Sequence, residues 1–370
     1  MRNYLFITGL ALIVFTYGCA STTDTSVTTT TTTSTTTTTQ SLQFAVETVD
    51  INNVGADTSI TIDNADVIHI SYDDMENGAL KYASGESGAW TLTTVENDGH
   101  SYHGQTAIDT TKNNKAYISY RGYLYLKCAN DVNGSWSTAV VDPYFASSGY
   151  KTSIALDSND RPHISYTYWD GAYVVKYTYQ KSNNFWATTT IETAASDYSS
   201  IAIDTNDNVH ISYYDIFNAD LKYATNSSGA WVSTTIDSNG DVGRYTAIAL
   251  DSGNKVHISY FDFSGNLKYA TNASGSWALT TIEADDVGGF TDIVIDHHDG
   301  AHISYYDSVD QSLKYARNIS GSWETFQVDS GKVGQYNSLA IDSHDKPHFS
   351  YFRDSTINYN RNLKYAKQIN

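Results

Sequence analysis

One short string governs what this chain can fold into. Ile-Ser-Tyr, or a close variant, begins at Ile70, Ile118, Ile164, Ile211, Ile258, Ile303 and Phe349, at periods of 48, 46, 47, 47, 45 and 46 residues. A chain of 370 residues would otherwise suggest two or three domains, but a fixed internal period means one supersecondary unit stacked on copies of itself.

The fifth copy shows the unit most plainly. Four runs of strand-forming residues, Thr246–Asp251, Val256–Asp262, Leu267–Thr271 and Trp277–Glu283, are each bounded by Gly, Asn, Asp or Ser. Four short antiparallel strands every 45 or so residues describe a propeller blade. Ser264-Gly265 fits a two-residue hairpin loop, which would set Tyr260 opposite Tyr269 and Phe261 opposite Lys268, the ring covering the lysine stem.

The chain ends fix the blade count. The last copy stops five residues after Tyr365 and has no room for its fourth strand. The first copy is preceded by a spare strand, Phe44–Asp50, which matches Trp90–Glu96 with Phe44 in the tryptophan's place. The spare strand should complete the last blade and remove its open edge. The expected fold is all-β: a seven-bladed propeller of four-stranded antiparallel blades over residues 43–370, closed by the N-terminal strand, with the Ser-Ile-Ala-Ile-Asp strand innermost and the Trp strand outermost.

Upstream, Arg2 precedes an apolar run from Tyr4 to Tyr17, then Gly18-Cys19-Ala20. The run is shorter than a membrane span needs and has the layout of an export signal. With Cys19 after Gly18 it resembles a lipoprotein lipobox, although Thr16 stands where Leu is usual. That resemblance implies a signal over residues 1–18, lipidation at Cys19, and a cell-envelope or surface location with the membrane touched only through the anchor; the alternative is an ordinary cleaved export signal in which Cys19 is incidental. Residues 19–42 are almost all Thr and Ser, a composition that cannot bury a core and reads as a stalk.

The formal charge of −19 excludes a nucleic-acid partner, which would need a basic face. A monomer is expected. Cys128 takes the place held by Tyr82, Tyr177 and Tyr223 in other copies, as a small apolar replacement, and no disulfide with Cys19 is expected.

The turns before the tryptophans read Thr225-Asn-Ser-Ser-Gly-Ala-Trp231, Thr271-Asn-Ala-Ser-Gly-Ser-Trp277 and Arg317-Asn-Ile-Ser-Gly-Ser-Trp323. They resemble the Asp-box of BNR-type, sialidase-like propellers, Ser-x-Asp-x-Gly-x-x-Trp, with Ser or Asn for the Asp and one residue fewer before Trp. The resemblance implies a propeller. A sialidase would further need an arginine cluster, a tyrosine nucleophile with an acidic partner, and an acid/base. Arg121, Arg244 and Arg353 are the arginines placed to contribute, and nothing singles out one of 30 tyrosines.

Groups present in every copy are poor candidates for chemistry, because a unique site does not recur around a ring. His69, His163, His210, His257, His302 and His348 precede the repeat serine. They are expected to be buried and bonded to a neighbouring blade's backbone or hydroxyl, not to share a metal. Lys81, Lys127, Lys176, Lys222, Lys268, Lys314 and Lys364 should pair with carboxylates. No cofactor is expected. The oxygen-rich loops Asp157–Asp160 and Asp204–Asp207 would suit calcium chemically but lack an ordered ligand pattern, and such residues also stabilise turns. Asn133, Asn226, Asn272 and Asn318 begin Asn-x-Ser sequences that are formal glycosylation acceptors or turn formers.

Function should be sought where the repeat breaks. One face collects Asp74, Asp215, Asp262 and Asp307 with Tyr198, Tyr245, Phe290 and Tyr336, joined by the irregular residues His100, His103, Arg121, Tyr168, Trp169, Arg244 and Arg353. Aromatic rings beside carboxylates suit saccharide or peptide recognition. The expectation is a surface binding module for glycan or protein; the alternative is a carbohydrate-active enzyme, sialidase-like or another glycosidase or lyase, on the same face.

Overall fold

The structure, a computed structural model, describes residues 41–370 except 98–105, 123, 144–150, 170–171, 183–184, 194–197, 285–287, 320 and 355–360. The export signal, Cys19 and most of the stalk lie outside the described residues, as do His100 and His103.

Twenty-eight strands form seven four-stranded antiparallel sheets, and no helix occurs among the described residues. Six blades use consecutive strands. The seventh combines Val333–Ile341, Pro347–Arg353 and Asn362–Gln368 with the N-terminal strand Phe44–Asp50. Phe44 lies opposite Gln368 and Thr48 opposite Lys364 in that ladder, so the predicted closure is present. The Phe44 ring meets Phe349 at 5.8 Å and Tyr315 at 6.1 Å. It thus packs on the preceding blade's tyrosine, as Trp90 does on Tyr365 and Trp277 on Tyr223.

The apolar cores lie between blades. One cluster joins Leu221 and Tyr223 of blade four to Val242, Ile258 and Tyr260 of blade five, and the others repeat the scheme. Period-two alternation along each second strand sends the repeat isoleucine and tyrosine into these seams, where both are sealed from solvent.

The repeat serine points the other way and welds neighbouring blades. Ser71, Ser119, Ser165, Ser212 and Ser259 accept from Thr106, Thr152, Ser199, Thr246 and Thr291 of the following blade at 2.8–3.2 Å. Thr58 donates to Ser350 across the closure at 3.0 Å, and Ser304 donates to Asn337.

A second seam lies further out. The acid ending each outer strand accepts the repeat tyrosine and lysine of the next blade. Glu96 takes Tyr120 at 2.7 Å and Lys127 at 2.6 Å; Asp237 takes Tyr260 at 2.8 Å and Lys268 at 2.6 Å. Asp50, on the N-terminal strand, takes Tyr72 at 2.8 Å together with Lys81. Six of the seven lysines pair with carboxylates in this way; Lys364 donates to Thr48 at 3.3 Å.

Two expectations are corrected. The blade-five hairpin is offset by one residue: Tyr260 faces Lys268 and Phe261 faces Leu267. Asp262 accepts the backbone N–H of Asn266 at 3.0 Å, and Gly265 sits at φ +75°, so the loop takes one residue more than the tightest hairpin. A one-residue offset exchanges faces, and the Lys268 ammonium lies over Tyr260 at 5.5 Å instead of over Phe261. The histidines, in turn, bond within their own blade. Each ring takes the tyrosine of the third strand on Nδ1 at 2.5–2.7 Å. Nε2 faces the aspartate ending the first strand at 2.8–3.5 Å. A neutral ring fits this pattern, with Nε2–H donating and Nδ1 accepting.

Candidate functional site

Each inner strand begins at one face of the ring. The residue just before its first hydroxyl-bearing or amide residue projects to the mouth of the central channel. Among the described residues that place is held by Asp57, Lys151, Tyr198, Tyr245, Phe290 and Tyr336; the corresponding position of blade two lies outside the described residues. Four adjacent blades therefore supply rings, and the other two described places carry opposite charges.

The four rings form a continuous arc, with centroids 4.5 Å apart from Tyr198 to Tyr245, 4.9 Å from Tyr245 to Phe290 and 4.6 Å from Phe290 to Tyr336. The Lys151 ammonium reaches across to lie 5.0 Å from the Tyr198 ring, 5.4 Å from Tyr245 and 5.7 Å from Phe290. All three distances are in cation–π range.

The backbone makes this arc at a cost. Tyr245, Phe290 and Tyr336 have φ of +54°, +53° and +51°, and Asp57 has +49°, a left-handed region that bulky residues avoid. In blade five the ladder is irregular between Val242 and Ala247. Gly243, at φ +108°, brings the chain so close to Leu221 that a Cβ would sit 2.8 Å from its Cα. The resulting bulge turns Tyr245 out of the sheet and into the mouth. Backbone strain of this kind persists only where the surrounding structure over-determines it.

Beneath the arc, a cavity of about 140 Å³ is lined by Asp57, Lys151, Asp292 and the hydroxyls of Thr58, Ser59 and Ser153 among others. It leads to a deeper cavity of about 420 Å³ lined by Asp109, Asp292, Ser200 and the inner-strand isoleucines. Two carboxylates interrupt this wall. Asp292 accepts the Leu339 N–H at 2.9 Å, and Asp109 accepts that of Leu156 at 2.9 Å. Elsewhere serines do this work, as Ser153 does for Ile201. Enclosure in the wall raises both carboxyls, that of Asp109 to about 6.

The four candidate aspartates are not brought together. Each caps its own hairpin: Asp74 accepts from Asn77 at 3.0 Å, Asp215 from Phe217 at 3.1 Å, Asp262 from Asn266 and Asp307 from Val309 at 2.9 Å. Asp215 and Asp307 also pair with Lys222 and Lys314 at 3.4 and 2.6 Å. Burial alone would raise these two carboxyls, but the bonds they accept outweigh it and hold both below the usual range.

Outside the arc, Arg244 is bonded to Asp241 at 2.7 Å and lies 5.7 Å from the Tyr214 ring and 5.3 Å from the exposed Phe263 ring. Phe217, Phe263 and Val309 project from the hairpin tips of blades four to six, extending the apolar surface outward from the mouth. Trp169 is exposed and packs edge-on to Tyr173 at 4.6 Å, and Lys176 lies 4.0 Å over Tyr168. Arg121 and Arg353 end second strands in blades two and seven, Arg353 exposed. Lys151 escaped the sequence reading. Its signal was positional: it shares a repeat column with the four aromatics.

No protein-family profile and no curated protein matches the sequence. Solved structures do match in fold. An ulvan lyase bound to -[GlcA(1-4)Rha3S]- is 10% identical, with a TM-score of 0.60 over 85% of this chain and 93% of that one. AofleA from Arthrobotrys oligospora is 12% identical, with a TM-score of 0.57 over 79% of this chain and 91% of that one. Aleuria aurantia lectin in complex with Fucα1-6GlcNAc is 14% identical, with a TM-score of 0.54 over 77% and 98%. At such identities the likeness establishes the propeller fold alone.

Proposed function

We propose that this chain is an exported, lipid-anchored surface module that binds glycan at the mouth of its propeller channel. One observation carries the reading: four strained or closely packed rings form an unbroken arc facing a lysine, at a column where a purely structural propeller would repeat a single residue type. A pyranose offers an apolar face to such rings and hydroxyls to an ammonium donor. The mouth also has the polar floor and small volume expected of a site for one sugar unit. The ligands of the similar structures, a fucosylated disaccharide and a uronate–rhamnose unit, support a saccharide as ligand class. The resemblance of the 225–231 turn to an Asp-box is consistent with this propeller family reading and adds no catalytic group. The anchor is read from Cys19 directly after Gly18 and from the Thr-rich tract that follows it.

The rival reading is a carbohydrate-active enzyme using the raised carboxyls of Asp109 and Asp292. Both carboxylates are engaged in tying one blade to the next, which favours binding over catalysis. Glycan-array screening of the full chain, followed by product analysis on every ligand found, separates the two. Binding without turnover that falls at least tenfold in Tyr245→Ala and Lys151→Ala supports the module. Turnover supports the enzyme, and binding indifferent to both substitutions removes the mouth from consideration. Cys19→Ser should release the chain from membranes; continued membrane retention would refute the lipid anchor.

A further inference from the structure

The opposite face of the ring carries the loops between first and second strands, and here too the repeat breaks in one place. In most blades the second loop residue donates to an acid or amide of the next blade. Ser158 bonds Asp207, Ser252 bonds Asp299 and Ser343 bonds Asp66, all at 2.6–2.9 Å. In blade six that residue is His297, and a second histidine, His298, follows it. The loop then closes on Gly300, where other blades carry Val67, Lys115, Arg161, Asn208, Lys255 or Lys346.

These departures converge on Asp345 of blade seven. Its two carboxylate oxygens lie 2.7 Å from His297 Nδ1 and 2.9 Å from His298 Nδ1, the first of them also accepting the His297 backbone N–H at 3.1 Å as in the other blades. The ligand atoms of Asp296, His298 and Asp345 all fall within 4.8 Å of one another. The missing side chain at Gly300 leaves a cavity of about 260 Å³ beside His298, Asn318 and Ile319. A Cβ at Gly300 would stand 2.6 Å from the Asp296 carboxylate and 2.8 Å from Ile319, so the opening depends on glycine.

We propose that His298, Asp345 and His297 form a surface site for one divalent transition-metal ion of the zinc class. Two imidazoles with one carboxylate suit zinc and its neighbours and not calcium, which prefers an all-oxygen shell. Tetrahedral bonds of ~2.1 Å set neighbouring ligand atoms roughly 3.4 Å apart, so each N···O separation to Asp345 must widen by about half an ångström, and the His297 ring, which lies outside the close cluster of Asp296, His298 and Asp345, must swing toward His298. The two rings are 68% and 82% exposed, free to make that adjustment and open to an ion from solvent. Asp296 stands behind, its oxygens already bonded to the N–H groups of His298 and Gly300 and to His302; it contributes charge, not a fourth bond. The remaining positions would hold water, with the Gly300 cavity alongside for a larger ligand.

On binding, each ring presents its Nδ1 lone pair to the metal and carries its proton on Nε2. The test is calorimetric titration of the untagged, metal-depleted full chain with zinc chloride, and with calcium chloride for comparison. One zinc ion per chain is expected, with affinity reduced at least tenfold in His298→Ala and in Asp345→Asn. His344→Ala, which alters a neighbouring loop histidine bonded to Ser343, should leave it unchanged. All these residues lie in surface loops, and unchanged melting of the zinc-free variants confirms that folding is intact. Absence of stoichiometric zinc binding, equal binding of calcium, or wild-type affinity in His298→Ala would overturn the site.

Discussion

The Thr58 hydroxyl donates to the Ser350 hydroxyl at 3.0 Å, joining residues 292 positions apart with the same bond that joins neighbouring blades elsewhere. Ring closure is thus made twice: by this inner contact and by the N-terminal strand, whose Asp50 grips Tyr72 and Lys81 of blade one.

Loss of that strand should be severe. Removing residues 43–50 leaves the edge of Asn362–Gln368 unpaired and strips Tyr72 and Lys81 of their acid. Phe44→Ala alone should cost no more than roughly 1.5–3 kcal/mol, the value of burying such a ring completely, because Phe44 is only partly buried. Thermal melting and size-exclusion chromatography of the two variants check this. The deletion should lower the melting temperature well beyond Phe44→Ala and promote association through the bare edge; unchanged melting would refute closure.

Acid should weaken the protein in two stages. Burial pushes the imidazoles of His163, His210, His257, His302 and His348 below their ordinary value. The folded state keeps them neutral while the unfolded chain takes up protons near pH ~6.5. Their contribution is therefore complete above that pH and declines as pH falls towards the folded values. The partner carboxyls of Asp157, Asp204 and Asp296 are held below their usual range by accepted hydrogen bonds that outweigh burial, so a second loss follows below about pH 4. Asp109, raised by burial to about 6, works in the opposite sense, its contribution being lost as pH rises from about 4 to about 6. Urea midpoints should fall between about pH 7.5 and about pH 5, with a smaller fall in a His210→Phe variant; a flat profile would contradict the buried neutral relays.

Blade two tests the relay by its absence. Thr111, Tyr117 and Cys128 stand where other blades have Asp, His and Tyr. The Cys128 thiol is buried, pushed up to about 12, and Tyr117 packs in the same cluster. Cys128→Tyr alone should overpack this space and cost about 1–3 kcal/mol. Adding Tyr117→His and Thr111→Asp should recover most of that loss by returning volume and rebuilding the hydrogen bonds. A denaturation cycle over single and combined variants reads the coupling directly; additive losses would show that the three positions are independent.

The fold was legible because one pattern appears seven times, so that a missing fourth strand at one end and a spare one at the other could be matched. Register was harder to read: Ser264-Gly265 is compatible with a two-residue hairpin, and only the bond from Asn266 to Asp262 shows that the loop is longer. The site was half legible. Tyr198, Tyr245, Phe290 and Tyr336 stood out by residue type, whereas Lys151 is conspicuous only when residues are compared down a repeat column. Asp74, Asp215, Asp262 and Asp307 show a limit of another kind, since a capping carboxylate and a ligand-binding one are written identically in sequence.

Tyr245 allows the strain at the mouth to be separated from the contacts it creates. At φ +54° any side chain with a Cβ is disfavoured, while glycine is not. Tyr245→Ala and Tyr245→Gly remove the same contacts with Tyr198, Phe290 and Lys151, so their difference reports the backbone. In a regular strand such as that holding Tyr214, alanine should be the more stable replacement, because glycine surrenders more chain entropy. At Tyr245 the order should invert, with glycine more stable than alanine by roughly 0.5–1 kcal/mol. Both variants should lose glycan binding to the same extent, since the ring is absent from each. If alanine proves the better replacement at Tyr245 as well, the mouth carries no stored strain, and the arc would have to be explained by packing alone.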